Sequence, residues 1–289
     1  MSIQWYPGHM TKARRVLAES IPSHDILIEV LDARMPRASS NPVLTELRGS
    51  KPCLKVLGKS DLADPAATEA WLRYFAEACE PTRELPNGSV AAVAITRTRQ
   101  ADTRKVIAAM CKRLVLHPGG LGKTVRAMVV GIPNVGKSTL INTLMERKVA
   151  KVGDEPAVTK GQQLAILKNG MAISDHPGLL WPNIEDPAVG DRLALGGAIS
   201  DAAIDYESVA MFGAEYLLKR YPALLVARYK LKETPPDAQS LLIEIGKRRG
   251  ALRAGGAVDL HKASDVLVHD FRSGAIGRIS LELPALDSD

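Results

Sequence analysis

Short apolar runs, often β-branched, alternate with amphipathic stretches along the first part of the chain. The apolar runs predict strands at 24–32, 52–57, 90–95 and 125–132. The intervening patterns predict helices at 11–20, 43–49, 64–79, 103–114 and 138–145, with a loop at 34–42. Two short strands, 163–167 and 171–174, flank Asn169-Gly170, a typical hairpin turn. This alternation predicts an α/β fold with a mostly parallel sheet and helices on both faces.

The pattern changes after about residue 182. Strand signals almost disappear, and helical periodicity predicts helices at 191–203, 208–220, 238–248 and 261–271. We therefore expect two domains, an α/β domain over residues 1–182 and a small all-α domain over residues 183–289.

Composition excludes several classes of protein. No apolar run approaches the roughly 18 residues that span a bilayer, and the first residues lack the apolar core of a signal peptide, so we expect no membrane association. Three cysteines without a CxxC pair argue against a disulfide framework and a zinc site, which favours a reducing cytoplasm. The net charge of +6 favours phosphate-rich partners such as nucleic acid, although many soluble proteins are mildly basic without binding any.

The strongest chemical signal is the segment from Gly131 to Ser138, which fits the P-loop pattern GxxxxGK[ST]. It lies between a predicted strand and a predicted helix, the context that such a loop requires. Its backbone would surround phosphate oxygens, Lys137 would reach the β- and γ-phosphates, and the Ser138 hydroxyl would ligate Mg²⁺. The sequence therefore predicts binding of a nucleoside triphosphate with magnesium.

A second motif, Asp175-His-Pro-Gly178, follows the last predicted strand. It is similar to the DxxG switch motif of GTPases, in which the aspartate holds Mg²⁺ through water and the glycine N–H senses the γ-phosphate. Thr159 lies between the P-loop and this motif and is the natural switch threonine.

Guanine is usually read by an NKxD motif downstream of these elements, and none follows Asp175. Upstream, at the end of the second predicted strand, stands Gly58-Lys59-Ser60-Asp61. The Asp61 carboxylate could accept from guanine N1–H and the exocyclic amine, while the stem of Lys59 packs along the base. This places the base-reading motif before the P-loop, and a circular permutation of this kind preserves the site.

Together these segments resemble the ribosome biogenesis GTPase A family of circularly permuted GTPases. The resemblance covers nearly the whole chain. It rests on Trp5-Tyr-Pro-Gly-His-Met10, Glu29-Val-Leu-Asp32-Ala-Arg34-Met-Pro36, Asn41-Pro42, the KSD, GIPNVGKST and DHPG motifs, Trp181-Pro182, and Asp270-Phe-Arg272-Ser-Gly274-Ala-Ile-Gly277-Arg278.

The resemblance implies a circularly permuted P-loop GTPase domain followed by a small all-α domain that binds rRNA. It implies a role in late assembly of the large ribosomal subunit, release on GTP hydrolysis, and hydrolysis assisted by K⁺ at Asn134. The expected partners are GTP or GDP and the large subunit with its rRNA, and we expect a monomer. The implied nucleotide-binding residues are Gly58, Lys59, Ser60, Asp61, Thr96, Pro133, Asn134, Val135, Gly136, Lys137, Ser138 and Gly178. The implied Mg²⁺ ligands are Ser138, Thr159 and, through water, Asp175, and the implied catalytic residues are His9, Lys137, Asn134 and Thr159.

Two positions depart from familiar GTPase patterns. Gly58 replaces the asparagine of NKxD, which should weaken guanine affinity while Asp61 keeps the main discrimination. Leu179 replaces the glutamine that orients water in many GTPases, so unassisted hydrolysis should be slow. His9 is the family's substitute for that glutamine, although it could instead cap a turn.

Some alternatives remain open at this point. The basic residues Lys247, Arg248, Arg249, Arg253, Arg272 and Arg278 could face rRNA or simply be solvated. The chain could also be an RNA-binding scaffold with a vestigial nucleotide site, or a P-loop ATPase.

Overall fold

The structure is a computed structural model. It describes residues 8–77, 90–96, 98–115, 124–145, 164–167, 170–181 and 184–284, with side chains omitted at 8–11 and 164. The predicted domain boundary between residues 182 and 183 lies outside these ranges and stays a prediction.

Six described strands form one sheet in the order β3-β2-β1-β4-β6-β5. The strands are β1 (Ile26–Asp32), β2 (Cys53–Gly58), β3 (Val90–Ala94), β4 (Arg126–Val130), β5 (Leu164–Ile166) and β6 (Ala172–Asp175). All neighbouring pairs are parallel except the β5–β6 hairpin. The mostly parallel sheet and the hairpin predicted from the sequence are confirmed.

The helices of the described residues alternate with the strands at first and then follow one another. They are α1 (Gly8–Ser20), α2 (Pro36–Ser39), α3 (Pro42–Arg48), α4 (Pro65–Glu77), α5 (Gln100–Leu114), α6 (Lys137–Met145), α7 (Pro187–Leu195), α8 (Tyr206–Arg220), α9 (Pro222–Tyr229), α10 (Ala238–Arg249) and α11 (Leu260–Ser273). None is long and apolar enough to cross a bilayer.

The sheet is covered on both faces. All seven residues of β1 are buried, as expected for a mostly apolar central strand of a parallel sheet. Adjacent residues of a strand point to opposite faces. Leu31 packs in a small cluster with Trp71 of α4, while Val30 belongs to the larger core that includes Ile107 of α5.

The prediction of a helix at 191–203 is wrong. Helix α7 begins earlier, because the Asp186 side chain accepts a hydrogen bond of 2.9 Å from the Ala188 backbone N–H and Pro187 occupies the first helical position. It ends before Gly196 and Gly197.

Two helices were not predicted. The predicted loop at 34–42 contains α2, a single helical turn, and α9 follows α8 directly. Both begin with proline, whose fixed φ suits the first turn of a helix.

The chain returns to the sheet after α11. Residues 276–283, here called the return segment, lie against the N-terminal half of the molecule. The backbone N–H of Ile279 donates to the carbonyl of Leu62, and that of Leu281 donates to the carbonyl of Arg34. The two halves therefore share an interface beside the end of β2.

Candidate nucleotide site

The P-loop connects β4 to α6 through a backbone that few residues adopt. Gly131 has φ +144° and Gly136 has φ +103°, while Asn134 between them has φ +58°. A Cβ atom on Gly131 would lie 2.5 Å from the Val30 carbonyl, so glycine is required there. The sequence thus builds the tight turn that allows backbone N–H groups to face a phosphate.

Lys137 is the central cation of this loop. Its side chain is buried, and its ammonium donates a hydrogen bond of 2.7 Å to the Ile132 carbonyl. Burial lowers the pKa of Lys137 to about 8, partly opposed by the nearby carboxylate of Asp175. A bound phosphate group would give this ammonium a negatively charged partner.

The DxPG motif lies directly against the P-loop. A Cβ atom on Gly178 would lie 2.9 Å from the Pro133 nitrogen and 3.0 Å from the Lys137 ammonium. Only glycine allows this approach, which puts the Gly178 backbone beside the position of a γ-phosphate.

Asp175 ends β6 at the same place. Burial raises the pKa of its carboxyl group, and the Lys137 charge opposes this shift. Its Oδ1 atom is buried without a hydrogen-bond partner among the described residues. A buried polar atom without a partner is costly, so the site is suited to a cation or its water shell.

These residues fit magnesium. Ser138 lines the cavity of about 990 Å³ that contains Lys137. Within the described part of the chain, no group of three or more His, Cys, Asp or Glu side chains could hold a metal ion. Mg²⁺ bound to a nucleotide takes most of its ligands from phosphates and water, and one hydroxyl with one carboxylate would complete such a set.

Leu179 is built into the core instead of facing the cavity. Its side chain is 2% exposed, and its backbone N–H donates to the Gly131 carbonyl at 3.3 Å. The Asn41 side chain donates to the Leu179 carbonyl at 2.6 Å and also caps α3. Leu179 therefore cannot orient water, and Asn41 of the Asn41-Pro42 pair anchors the DxPG segment.

Among the expected base-reading residues, Gly58, Lys59 and Thr96 line a second cleft, whereas Ser60 and Asp61 are not among its lining residues. This narrow cleft of about 40 Å³ is lined by Gly58, Lys59, Ile95, Thr96, Thr103, Val135, Gly136, Thr139, Leu140 and Thr143. The Oδ1 atom of Asp61 is buried without a hydrogen-bond partner among the described residues. The Ser60 hydroxyl donates to the Ile95 carbonyl at 2.7 Å and so joins the two base loops instead of facing the cleft.

Gly58 touches the P-loop where NKxD has asparagine. A Cβ atom there would lie 2.9 Å from the Val135 carbonyl and 3.4 Å from the Leu31 carbonyl. The base loop and the P-loop are thus closer together than a side chain at position 58 would permit.

The helical half forms one wall of the large cavity. Asn134 donates a hydrogen bond of 2.8 Å to the carbonyl of Gly197, which follows α7. Residues Asp201, Tyr206, Asp265, His269 and Arg272 also line the cavity. The sequence patterns gave no sign of this wall, because its residues come from three separate segments.

Four further residues from the sequence analysis are Thr159, His9, Arg272 and Arg278. Thr159 lies outside the described residues, and the side chain of His9 is not described, so both roles stay predictions. Arg272 donates to the Ala194 and Leu195 carbonyls and to Asp201, and Arg278 donates to the Ser60 and Ala63 carbonyls. Arg272 is only partly exposed and serves internal contacts. Arg278 makes its internal contacts while remaining an exposed residue, so a contact of Arg278 with rRNA stays a prediction.

Asp32 and Arg34, to which the sequence motif alone assigns no role, form a buried ion pair. Arg34 makes a two-point contact with the Asp32 carboxylate at 2.9 and 2.8 Å, and Lys59 donates to the same carboxylate at 2.9 Å. Burial favours the neutral acid, but these two cations hold the pKa of Asp32 well below its ordinary value. The buried Asp32 carboxylate thus holds the ammonium group of Lys59, the lysine that is expected to pack along the base.

Comparisons with known proteins agree with this geometry. The family described as 50S ribosome-binding GTPase matches residues 126–211. Ribosome biogenesis GTPase A of Bacillus cereus is 42% identical, covering 98% of this chain and 95% of that protein. Mitochondrial ribosome-associated GTPase 1 of Mus musculus is 31% identical, covering 96% and 90%. The crystal structure of GNP-bound YlqF from T. maritima has a TM-score of 0.64 at 25% identity, covering 95% of this chain and 99% of that one. The chain belongs to the ribosome biogenesis GTPase A family.

Proposed function

We propose that this GTPase acts on a maturing large ribosomal subunit, where contact with the particle accelerates GTP hydrolysis and hydrolysis releases the protein. Guanine nucleotide would bind with its base at Asp61 and its phosphates at Lys137, with Mg²⁺ held at Ser138 and, through water, at Asp175. Thr159 would complete the magnesium site, and K⁺ would bind at Asn134.

The observation that carries this proposal is the pair of buried carboxylate oxygens without partners. Asp61 Oδ1 belongs to the loop whose Lys59 lines both cavities, and Asp175 lies near the charge of Lys137. Lys137 lines the larger cavity, and Gly136 of the same loop lines both cavities. A guanine ring and a magnesium ion would satisfy both oxygens at once.

Slow hydrolysis without the particle follows from the position of Leu179. Its side chain is in the core, so the protein needs another group to orient the attacking water. His9 is our candidate, and ordering of that group on the particle would explain stimulation.

The rRNA contact is assigned to the basic end of α10. Lys247, Arg248, Arg249 and Arg253 are all exposed, whereas Arg272 is only partly exposed and bonds to two carbonyl groups of the protein. A cluster of exposed cations binds phosphates through counterion release, so this contact should weaken as salt rises.

The test is GTP hydrolysis measured with and without purified large subunits, in potassium and in sodium buffer. We expect a rate increase with the particle and a faster rate in potassium. Lys137→Ala should abolish hydrolysis in all four conditions, while the exposed Lys105→Ala should behave like the wild type. A rate that large subunits leave unchanged would refute the proposal.

Neither earlier alternative is favoured by the family to which the chain belongs. A vestigial nucleotide site would leave binding to the particle insensitive to GTP and GDP. An ATPase would release bound GDP when ATP is added.

A further inference from the structure

The loop that carries Asp61 has an unusual backbone. Lys59 has φ +55°, a region that residues with side chains rarely adopt. Such a conformation persists only where surrounding contacts determine it. The groups that hold this loop therefore decide where the Asp61 carboxylate lies.

Asp61 itself contributes little to its own placement. Its Oδ1 atom has no hydrogen-bond partner among the described residues. A carboxylate that must meet two guanine N–H groups needs a fixed direction. That direction has to come from the backbone on either side.

The return segment supplies the outer support. Arg278 donates from Nη2 to the Ser60 carbonyl and from Nε to the Ala63 carbonyl, both at 2.9 Å. The next residue, Ile279, donates its backbone N–H to the Leu62 carbonyl at 2.9 Å. Two consecutive residues thus hold the carbonyls immediately before and after Asp61.

A second support of the Asp61 loop is a chain of buried charged groups that begins at Lys59. Lys59 bonds to Asp32, which bonds to Arg34. Arg34 donates to the Phe271 carbonyl at 3.2 Å, and its guanidinium lies 4.6 Å from the centre of the Phe271 ring. Helix α11 therefore contacts the base loop through a buried chain of charged groups.

We infer that Arg278 is a positioning residue for guanine recognition, acting through the Ser60 and Ala63 carbonyl groups on the two sides of Asp61. Its planar fork spans both carbonyls, a geometry that lysine cannot reproduce with one ammonium. Guanine selectivity in this protein thus depends on a segment more than 200 residues away in sequence from the motif it supports. This inference rests on the assignment of Asp61 as the base reader under the proposed function.

The test compares three ligands on the full-length protein with magnesium. GDP and IDP differ only in the exocyclic amine that Asp61 would bind, and pyrophosphate reports the P-loop alone. We expect Arg278→Gln to lower GDP affinity about tenfold and to reduce the preference for GDP over IDP, with pyrophosphate affinity unchanged. Arg278→Lys should show the same loss of preference, and the exposed Arg113→Gln should match the wild type.

Two results would overturn the inference. An unchanged ratio of GDP to IDP affinity in both Arg278 variants would show that the fork does not direct Asp61. An equal loss for all three ligands would show general damage instead of a positioning role. Asp61→Asn tests the base-reader assignment separately from the role of Arg278. It should shift the nucleotide preference from GDP to XDP. If it does not, the base-reader assignment fails together with the inference.

Discussion

The Asn134 side chain donates a hydrogen bond of 2.8 Å to the Gly197 carbonyl, joining the P-loop to the turn after α7. The residue that we assign to potassium is therefore also a contact between the two halves of the molecule. Two substitutions separate these roles. Asn134→Asp keeps an oxygen ligand but loses the donor, whereas Asn134→Ala loses both.

We expect both Asn134 variants to lose about 1 kcal/mol of unfolding free energy, the usual contribution of one neutral hydrogen bond. At saturating GTP, only Asn134→Ala should lose the difference between potassium and sodium. Urea unfolding and hydrolysis rates in the two buffers measure these effects. Retention of potassium stimulation in Asn134→Ala would rule out the cation assignment.

Nucleotide binding should depend on pH through Lys137. Burial lowers its pKa to about 8 in the free protein, and only the charged ammonium binds phosphate well. The dissociation constant for GDP should therefore rise by about tenfold per pH unit above pH 8, because binding must take up a proton.

Calorimetry at pH 9 in buffers of different ionisation enthalpy would measure that proton uptake. Lys137→Arg is the matched control, since arginine remains charged throughout this range. Its affinity is expected to be weaker but flat with pH. A flat profile for the wild type would mean that Lys137 is already charged at pH 9.

Asp175 should destabilise the nucleotide-free protein. Its folded-state pKa is raised by burial above the value in the unfolded chain, so the folded state holds the proton more tightly. Unfolding free energy then falls as pH rises through the interval between the two pKa values, and the penalty is complete above it.

We therefore expect Asp175→Asn to be more stable than the wild type at pH 8 without nucleotide, with the difference shrinking on acidification. Addition of GDP with magnesium should reverse the order, since only the wild type retains the carboxylate. Urea unfolding from pH 5 to 8 tests this. A less stable variant at pH 8 would contradict it.

A side chain at position 58 should disrupt the contact between the base loop and the P-loop. The Cβ of Gly58→Ala would lie 2.9 Å from the Val135 carbonyl, and relief requires a backbone shift. We expect a loss of about 1–3 kcal/mol in unfolding free energy, together with weaker GDP binding.

Gly58→Asn, which introduces the residue of the NKxD motif, should be no better than Gly58→Ala for the same reason. Denaturation curves and GDP titrations of the two variants provide the comparison. Tighter GDP binding by Gly58→Asn would show instead that glycine at position 58 only removes a favourable contact of the NKxD asparagine with the nucleotide.

The strands and the nucleotide motifs were predictable because each depends on neighbouring residues. A run such as Ile26–Asp32 is mostly apolar because both of its faces are covered, and the P-loop is continuous in sequence. Helix α7 begins at Pro187 and not at the predicted Asp191, because Asp186 caps the helix and Pro187 occupies its first position. In that case a capping residue outweighed periodicity.

The supports of the site could not be predicted in the same way. Arg34 bonds to the Phe271 carbonyl across 237 positions, and no periodic pattern marks such a pair. The sequence left Arg278 as a cation that faces rRNA or solvent, and the structure has it exposed. Its additional contacts with the Ser60 and Ala63 carbonyls were not predictable, because only folding brings these groups together. Residue type indicated charge, but tertiary structure decided its use.

The strand order also has a consequence for synthesis of the protein. Strand β1 pairs with β2 on one side and with β4 on the other, and β4 lies about 100 positions later. During translation, β1 to β3 emerge first, leaving one edge of a mostly apolar strand without its partner until residues 126–130 appear. An open apolar edge promotes association between nascent chains. In an unpermuted GTPase the P-loop strand comes first. Permutation places it after β1 to β3, so the period in which β1 lacks this neighbour falls in the middle of translation.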